Sequence, residues 1–130
     1  MTDPTITQLK RHTSPRGWVS EIYSGELGEN LRNIHLGTMT AGAVRGNHKH
    51  TSTREWITFL QSPVLIRWGT PDDFEELEIT EPSVVELPVG QPHAFKNNGT
   101  SVVSFAAYTN SFYDEENPDV IPVNLFPVKS

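Results

Sequence analysis

Cysteine is absent, which excludes disulfides, thiolate metal ligands and a cysteine nucleophile. Cations are few: ten Lys and Arg face sixteen Asp and Glu, for a formal charge of −6 and a pI near 5.3. Such a chain carries no electrostatic footprint for nucleic acid or an anionic membrane. Long apolar runs are also missing. None approaches the length of a membrane span, and the opening "MTDPTITQLKRH" has no apolar signal-like stretch. We therefore expect a cytoplasmic protein whose partner is a small molecule.

What is present reads as strands. Ten prolines and nine glycines punctuate the 130 residues at short intervals, with β-branched and aromatic residues between them. Strands are expected at 17–23, 31–40, 54–60, 64–68, 75–80, 83–87 and 101–108, with turns at Gly69-Thr70-Pro71-Asp72 and Asn97-Asn98-Gly99. In "NIHLGTM", Ile34, Leu36 and Thr38 alternate with Asn33, His35 and Gly37, a period of two. No window carries a helical stripe with caps. Many short strands at close spacing predict a sandwich or barrel. The acidic stretch 72–86 reads as a solvated edge hairpin. The tail, with Pro118, Pro122 and Pro127, reads as extended and laid along the body or a neighbouring subunit, because proline cannot occupy a central ladder position.

Histidine supplies the chemistry. In "VRGNHKHTSTRE" (44–55), His48 and His50 are two apart, so on a strand they project to one face, with Glu55 opening the next strand. "LPVGQPHAFKNN" adds His93, delivered by a Pro-Gly turn. If these strands line a barrel, His48, His50, Glu55 and His93 form an N/O set suited to a divalent transition metal such as Zn, Fe, Mn or Ni. The competing reading is a polar surface turn and an unrelated strand histidine. His12, near the chain start, is read as an ordinary polar residue, and so is His35 unless a metal occupies His48.

Together the two stretches resemble the cupin motifs. The first is Gly, five residues, His-x-His, three or four residues, Glu, six residues, Gly; Gly42, His48, His50 and Glu55 fit it, with Ser62 in place of the last glycine. The second is Gly, five residues, Pro-x-Gly, two residues, His, three residues, Asn; Pro88, Gly90, His93 and Asn97 fit it, with Pro82 in place of the glycine. The resemblance implies an all-β fold, a single-domain double-stranded β-helix (a jelly-roll barrel) over 1–130. Its core would run from about 13 to 113, with an extended tail at 114–130. At Ser62-Pro63 the chain is expected to bend without the glycine.

The surroundings resemble one branch of that superfamily, the cupins acting on nucleotide sugars: dehydrorhamnose epimerases, ketoisomerases of dTDP-keto-deoxyhexoses, and the cupin half of capsular polysaccharide enzymes. Arg16-Gly17 with Glu21, and Arg45-Gly46 before His48, stand where those proteins carry similar pairs, and "RGNHKHTSTRE" is most similar to the capsular type. No reductase segment accompanies these residues, so the expected step is the isolated cupin reaction or one shared with a partner enzyme. The resemblance implies an epimerase or isomerase of a nucleotide-linked keto-sugar in surface polysaccharide synthesis. His48 would act as base, or His35 or a water if metal claims His48. Tyr113 would be the proton donor, with Tyr108 second. Arg45, Arg16, Arg54 and Asn97 are the candidate substrate contacts, with Arg67 a further cation. A homodimer is expected, with Trp56, Ile57 and the tail assigned to it. Two other classes remain open: a metal-dependent dioxygenase and a non-catalytic carbohydrate-binding cupin.

Overall fold

The structure, a computed structural model, describes residues 2–22 and 29–127. Among these are twelve strands: β1 (Thr5–Gln8), β2 (His12–Ser14), β3 (Gly17–Val19), β4 (Asn33–Met39), β5 (Val44–Lys49), β6 (Glu55–Phe59), β7 (Val64–Thr70), β8 (Asp73–Ile79), β9 (Ser83–Leu87), β10 (His93–Asn97), β11 (Val103–Thr109) and β12 (Ile121–Pro122). They form two five-stranded antiparallel sheets, ordered β1-β9-β6-β11-β4 and β12-β5-β10-β7-β8, with β2 and β3 as a separate ribbon. This is the double-stranded β-helix of the cupins. The strand expected at 17–23 stops at Val19, and Tyr23 lies outside the described residues.

The two sheets face each other across one apolar core. Met39, Ile57, Phe59, Val85, Leu87, Val103 and Ala107 come from one sheet, and Val64, Ile66, Ile79 and Phe95 from the other. Period-two alternation decides which side chains enter it. On β6, Glu55, Ile57 and Phe59 share the inner face, so Ile57, expected at a subunit contact, is a core residue at 7% exposure. Trp56 on the opposite face is also covered, with the Arg54 guanidinium 4.8 Å from its ring centre. Phe59 and Phe95 meet across the core at 5.0 Å between centroids, inside the favourable range for aromatic pairs.

The chain ends pack more closely than the sequence pattern indicates. Thr5–Gln8 pairs with β9 along one edge, in register Thr5 with Glu86 to Gln8 with Ser83. The tail lies on its own chain: Ile121 and Pro122 pair with Lys49 and His48 at the outer edge of β5, where a proline costs no ladder bond. Leu125 and Phe126 are buried beside Ala94. Arg67 secures this tail. It donates to the Leu125 carbonyl at 2.9 Å, pairs with Glu76 at 2.6 Å, and lies 4.2 Å from the Phe126 ring centre. Of the stretch 72–86 expected as a solvated edge hairpin, only Asp73–Glu78 of β8 is exposed at a sheet edge. Ser83–Leu87 forms β9 in the other sheet, between β1 and β6, because Val85 and Leu87 enter the core. The connection from β6 to β7 bends through a cis Ser62–Pro63 bond, in the place where the motif has glycine.

Candidate functional site

A local irregularity in β5 aims the first two histidines. Gly46 (φ 84°) and Asn47 (φ 56°) are both left-handed, and the register with β10 shifts there, from His48 opposite His93 to Gly46 opposite Ala94. Asn47 is the extra residue of this bulge, and bulges re-aim the side chains that follow. Glycine is required at 46 for a second reason: a Cβ would lie 2.9 Å from the His93 carbonyl oxygen and 3.1 Å from Ala94 Cα. Asparagine tolerates the left-handed conformation, and both its amide oxygen and its amide nitrogen are bonded. Oδ1 accepts from the backbone N–H groups of Leu125 and Phe126, both at 3.0 Å, and Nδ2 donates to the Phe126 carbonyl at 2.9 Å.

The bulge, the start of β10 and the start of β6 bring His48, His50, His93 and Glu55 together. One ligand atom from each lies within 4.8 Å of every other. Ring centroids are 4.8 Å apart for His48–His50, 4.9 Å for His48–His93 and 5.5 Å for His50–His93. The three imidazoles come from one sheet and its exit loop, the carboxylate from the other, so the cluster bridges the two sheets at one end of the barrel.

The hydrogen bonds orient two of these rings. His93 Nδ1 donates to the Gln91 carbonyl at 3.0 Å and His50 Nδ1 donates to the Asp119 carbonyl at 2.7 Å. A carbonyl only accepts, so each Nδ1 carries the proton and each Nε2 is turned inward. Both Nε2 atoms stand 3.6 Å from Glu55 Oε1, beyond hydrogen-bond length, and both are buried without a hydrogen-bond partner among the described residues. Two orphaned, inward-facing nitrogens beside a buried carboxylate fit a divalent cation, with three N donors and one O donor.

Electrostatics agree. Burial, with His93 and His50 close by, pulls His48 down to about 4 and keeps it neutral. Burial pushes the Glu55 carboxyl up, but the adjoining His50 and His93 outweigh this and hold it well below the usual carboxylate range. For His50, burial acts downward, and Glu55 and Asp119 more than offset it, for a net upward shift.

His48, His50 and Glu55 of the cluster line an open cavity of about 310 Å³, while His93 is fully buried and does not reach its surface. His35 and Asn33 from β4, Thr109 at the end of β11, and Phe112, Tyr113 and Asp119 from the following segment line its sides. His35 and Tyr113 are therefore brought to the site expected of them, His35 with its Nδ1 3.4 Å from the Asn33 amide. Tyr108 is not. It pairs with Ile34 and Trp56 on the outer face, one residue out of phase with Thr109.

The candidate substrate contacts are not gathered here, and among the described residues no Lys or Arg lines the cavity. Arg45 is exposed and donates to the Thr38 carbonyl at 3.0 Å. Arg16 lies in the exposed β2–β3 turn. Arg54 pairs with Glu86 beside Trp56. Asn97 is buried. Its Nδ2 donates to the Met39 and Ser101 carbonyls, both at 2.8 Å, and its Oδ1 accepts from Gly99 N–H. This asparagine holds the turn after β10, a structural use its place in the motif did not reveal. Asn47 and Asp119 were missed by sequence reasoning. Asn47 had a signal, an Asn between Gly and His where a bulge needs a left-handed residue; Asp119 had none, being 68 residues from Thr51.

Barrel and cluster together define a cupin-fold protein with a candidate metal centre at the barrel mouth. The chain matches the polysaccharide biosynthesis C-terminal domain family over residues 12–121 and belongs to it. No curated protein is similar enough in sequence to match. Among solved structures, the chain resembles CapF, a capsular polysaccharide assembling protein from Staphylococcus aureus (22% identity, TM-score 0.63). The likeness covers 69% of this chain and 26% of CapF. It also resembles the sugar 3,4-ketoisomerase QdtA from Thermoanaerobacterium thermosaccharolyticum, solved as a double mutant with TDP (19% identity, TM-score 0.73). Here 93% of this chain and 88% of QdtA are covered. A third is ChmJ, a 3'-monoepimerase from Streptomyces bikiniensis in complex with dTDP-quinovose (17% identity, TM-score 0.75), with 93% of this chain and 69% of ChmJ covered. At these identities the likeness establishes a shared fold. No helix among the described residues is long and apolar enough to cross a membrane.

Proposed function

We propose that the protein is a metal-binding epimerase or isomerase acting on a nucleotide-linked keto-sugar in surface polysaccharide synthesis. The observation that carries this reading is the convergence of His48, His50, Glu55 and His93, three of which, His48, His50 and Glu55, line a cavity that also presents His35 and Tyr113. Family membership and the ketoisomerase and epimerase neighbours support it. A divalent cation held by the four residues would supply positive charge for a substrate carbonyl oxygen.

The remaining steps belong to side chains of this chain. His35, the cavity imidazole outside the four-residue cluster, takes the proton from the carbon next to the ketone, and the C–H electron pair moves into the carbonyl to give an enolate. For an epimer, Tyr113 gives its phenol proton to the same carbon from the opposite face. For a shifted ketone, Tyr113 protonates the enolate oxygen and then takes the proton of the hydroxyl on the adjacent carbon, while protonated His35 returns its proton to the former carbonyl carbon. The Asn33 amide nitrogen, 3.4 Å from His35 Nδ1, can only donate, so Nδ1 holds the ring's lone pair and takes the substrate proton in place of that contact. Phe112 lines the cavity. The diphosphate is met outside the cavity, with Arg45 and Arg16 retained as its contacts.

Incubation in D2O with a dTDP-4-keto-6-deoxyhexose tests this. Solvent deuterium should enter next to the ketone in wild type and fall at least about 100-fold in His35→Ala and Tyr113→Phe, the scale of a lost acid–base group. Binding without exchange in the wild type would turn the reading to a non-catalytic sugar-binding cupin. Iron content with oxygen consumption would turn it to an oxygenase. A homodimer completes the proposal: β4 ends its sheet among the described residues and exposes Ile34 (52%) and Leu36 (80%). Leu36→Lys should shift the sedimentation coefficient toward monomer.

A further inference from the structure

Asp119 closes on the link between His50 and Glu55 from a segment far along the chain. Oδ1 accepts from Thr51 N–H at 2.8 Å and the Thr51 hydroxyl at 2.5 Å, and Oδ2 from Ser52 N–H at 2.9 Å and the Ser52 hydroxyl at 3.1 Å. Its main-chain carbonyl takes the His50 Nδ1–H at 2.7 Å. One residue thus receives five hydrogen bonds from three consecutive residues, 50 to 52. The carboxylate grips the loop, and the grip fixes where its own carbonyl points.

We propose that Asp119 is a positioning residue for the candidate metal centre. Its carboxylate sets the path from His50 to Glu55, and its carbonyl selects the His50 tautomer that leaves the Nε2 lone pair facing Glu55. Partners of this kind fix ring orientation and tautomer in metal sites generally. Asp119 also lines the cavity, so the substrate-facing wall and the His50 ring are held by the same residue. His93 is an internal control, because its tautomer is set independently by the Gln91 carbonyl.

The inference rests on the metal-binding reading for affinity but not for tautomer, so the experiment reads both. Long-range ¹H–¹⁵N NMR of the metal-free protein reports each imidazole tautomer, and chelator competition with zinc chloride reports affinity. In Asp119→Ala, His50 should lose its pure Nδ1–H form while His93 keeps it, and zinc affinity should fall ~10–100-fold. An unchanged His50 tautomer, or an affinity within about threefold of wild type, overturns the proposal, given the usual cost of losing such a partner. Should Asp119→Ala fail to fold, the Thr51→Val/Ser52→Ala double variant decides. It removes two donors and keeps the backbone contacts, so a smaller shift in the same direction supports the role and none refutes it. If wild type binds no zinc, the metal reading fails and the His50 tautomer alone decides.

Discussion

Glu55 Oε1 stands 3.6 Å from the Nε2 atoms of both His50 and His93, and neither nitrogen has a hydrogen bond among the described residues. A single carboxylate oxygen facing two bare imidazole nitrogens is an arrangement that a cation completes. Without a cation, the buried polar atoms carry a desolvation cost of about 1–3 kcal/mol each.

Metal should therefore stabilise the fold measurably. Zinc at about 100 times its Kd is expected to add ~2.7 kcal/mol, visible as a raised Tm. His93→Ala should abolish both that shift and stoichiometric metal by elemental analysis. A wild type that melts identically with and without every first-row divalent metal would sink the four-ligand centre.

The pH dependence of the metal-free protein has a defined sign. His48 falls from 6.5 to about 4 on folding, so between these values the unfolded chain binds the extra proton and stability drops as pH drops. His50 is raised, so its contribution is present below its unfolded pKa and lost as pH climbs through the folded one. His48, His50 and Glu55 titrate as a coupled set. Comparing wild type with His48→Gln isolates the first effect: urea midpoints from pH 6.5 down to 4 should decline more steeply for wild type.

Gly46→Ala combines two faults, a positive φ and a Cβ 2.9 Å from the His93 carbonyl. Backbone strain of ~1–2 kcal/mol and overpacking of ~1–3 kcal/mol should lower stability, and the displaced His93 should weaken metal binding in the same variant. Chemical denaturation and zinc competition read the two separately.

Asn47→Ala strands the Leu125 and Phe126 N–H groups and the Phe126 carbonyl. A loss of about 2–4 kcal/mol is expected from the unpaired backbone groups and the left-handed conformation. Asn47→Gly relieves only the conformational part, so it should be the more stable of the two variants. The reverse order would mean that the bulge does not require a positive φ.

The strands were legible where β-branched and aromatic residues alternate between turn residues. Ser83–Leu87 appears with the bounds read from the sequence, because Ser, Val, Val, Glu and Leu between prolines leave no other regular choice. Thr5–Gln8 was not read: "TITQ" is short, polar and exposed, and only the free edge of β9 makes it a strand. Sequence left open whether the tail lies on the body or on a neighbouring subunit; Ile121 and Pro122 pair with β5 of the same chain.

For the candidate site, residue type and spacing alone determined which side chains could act together. His-x-His on a strand puts two imidazoles on one face by geometry, and the glutamate and third histidine have the chemistry to join them. Tertiary structure decided everything that depends on contacts across the fold. Register put His93 opposite His48, and the bulge at Gly46–Asn47 turned the rings inward. Phase on β11 sent Tyr108 outward, and the distant Asp119 carbonyl chose the His50 tautomer, whereas His93 takes its own from Gln91, two residues before it. The reason is the range of the forces: side-chain direction along a strand is a local property of the backbone, whereas a hydrogen bond to a residue 69 positions away exists only after the sheets have closed.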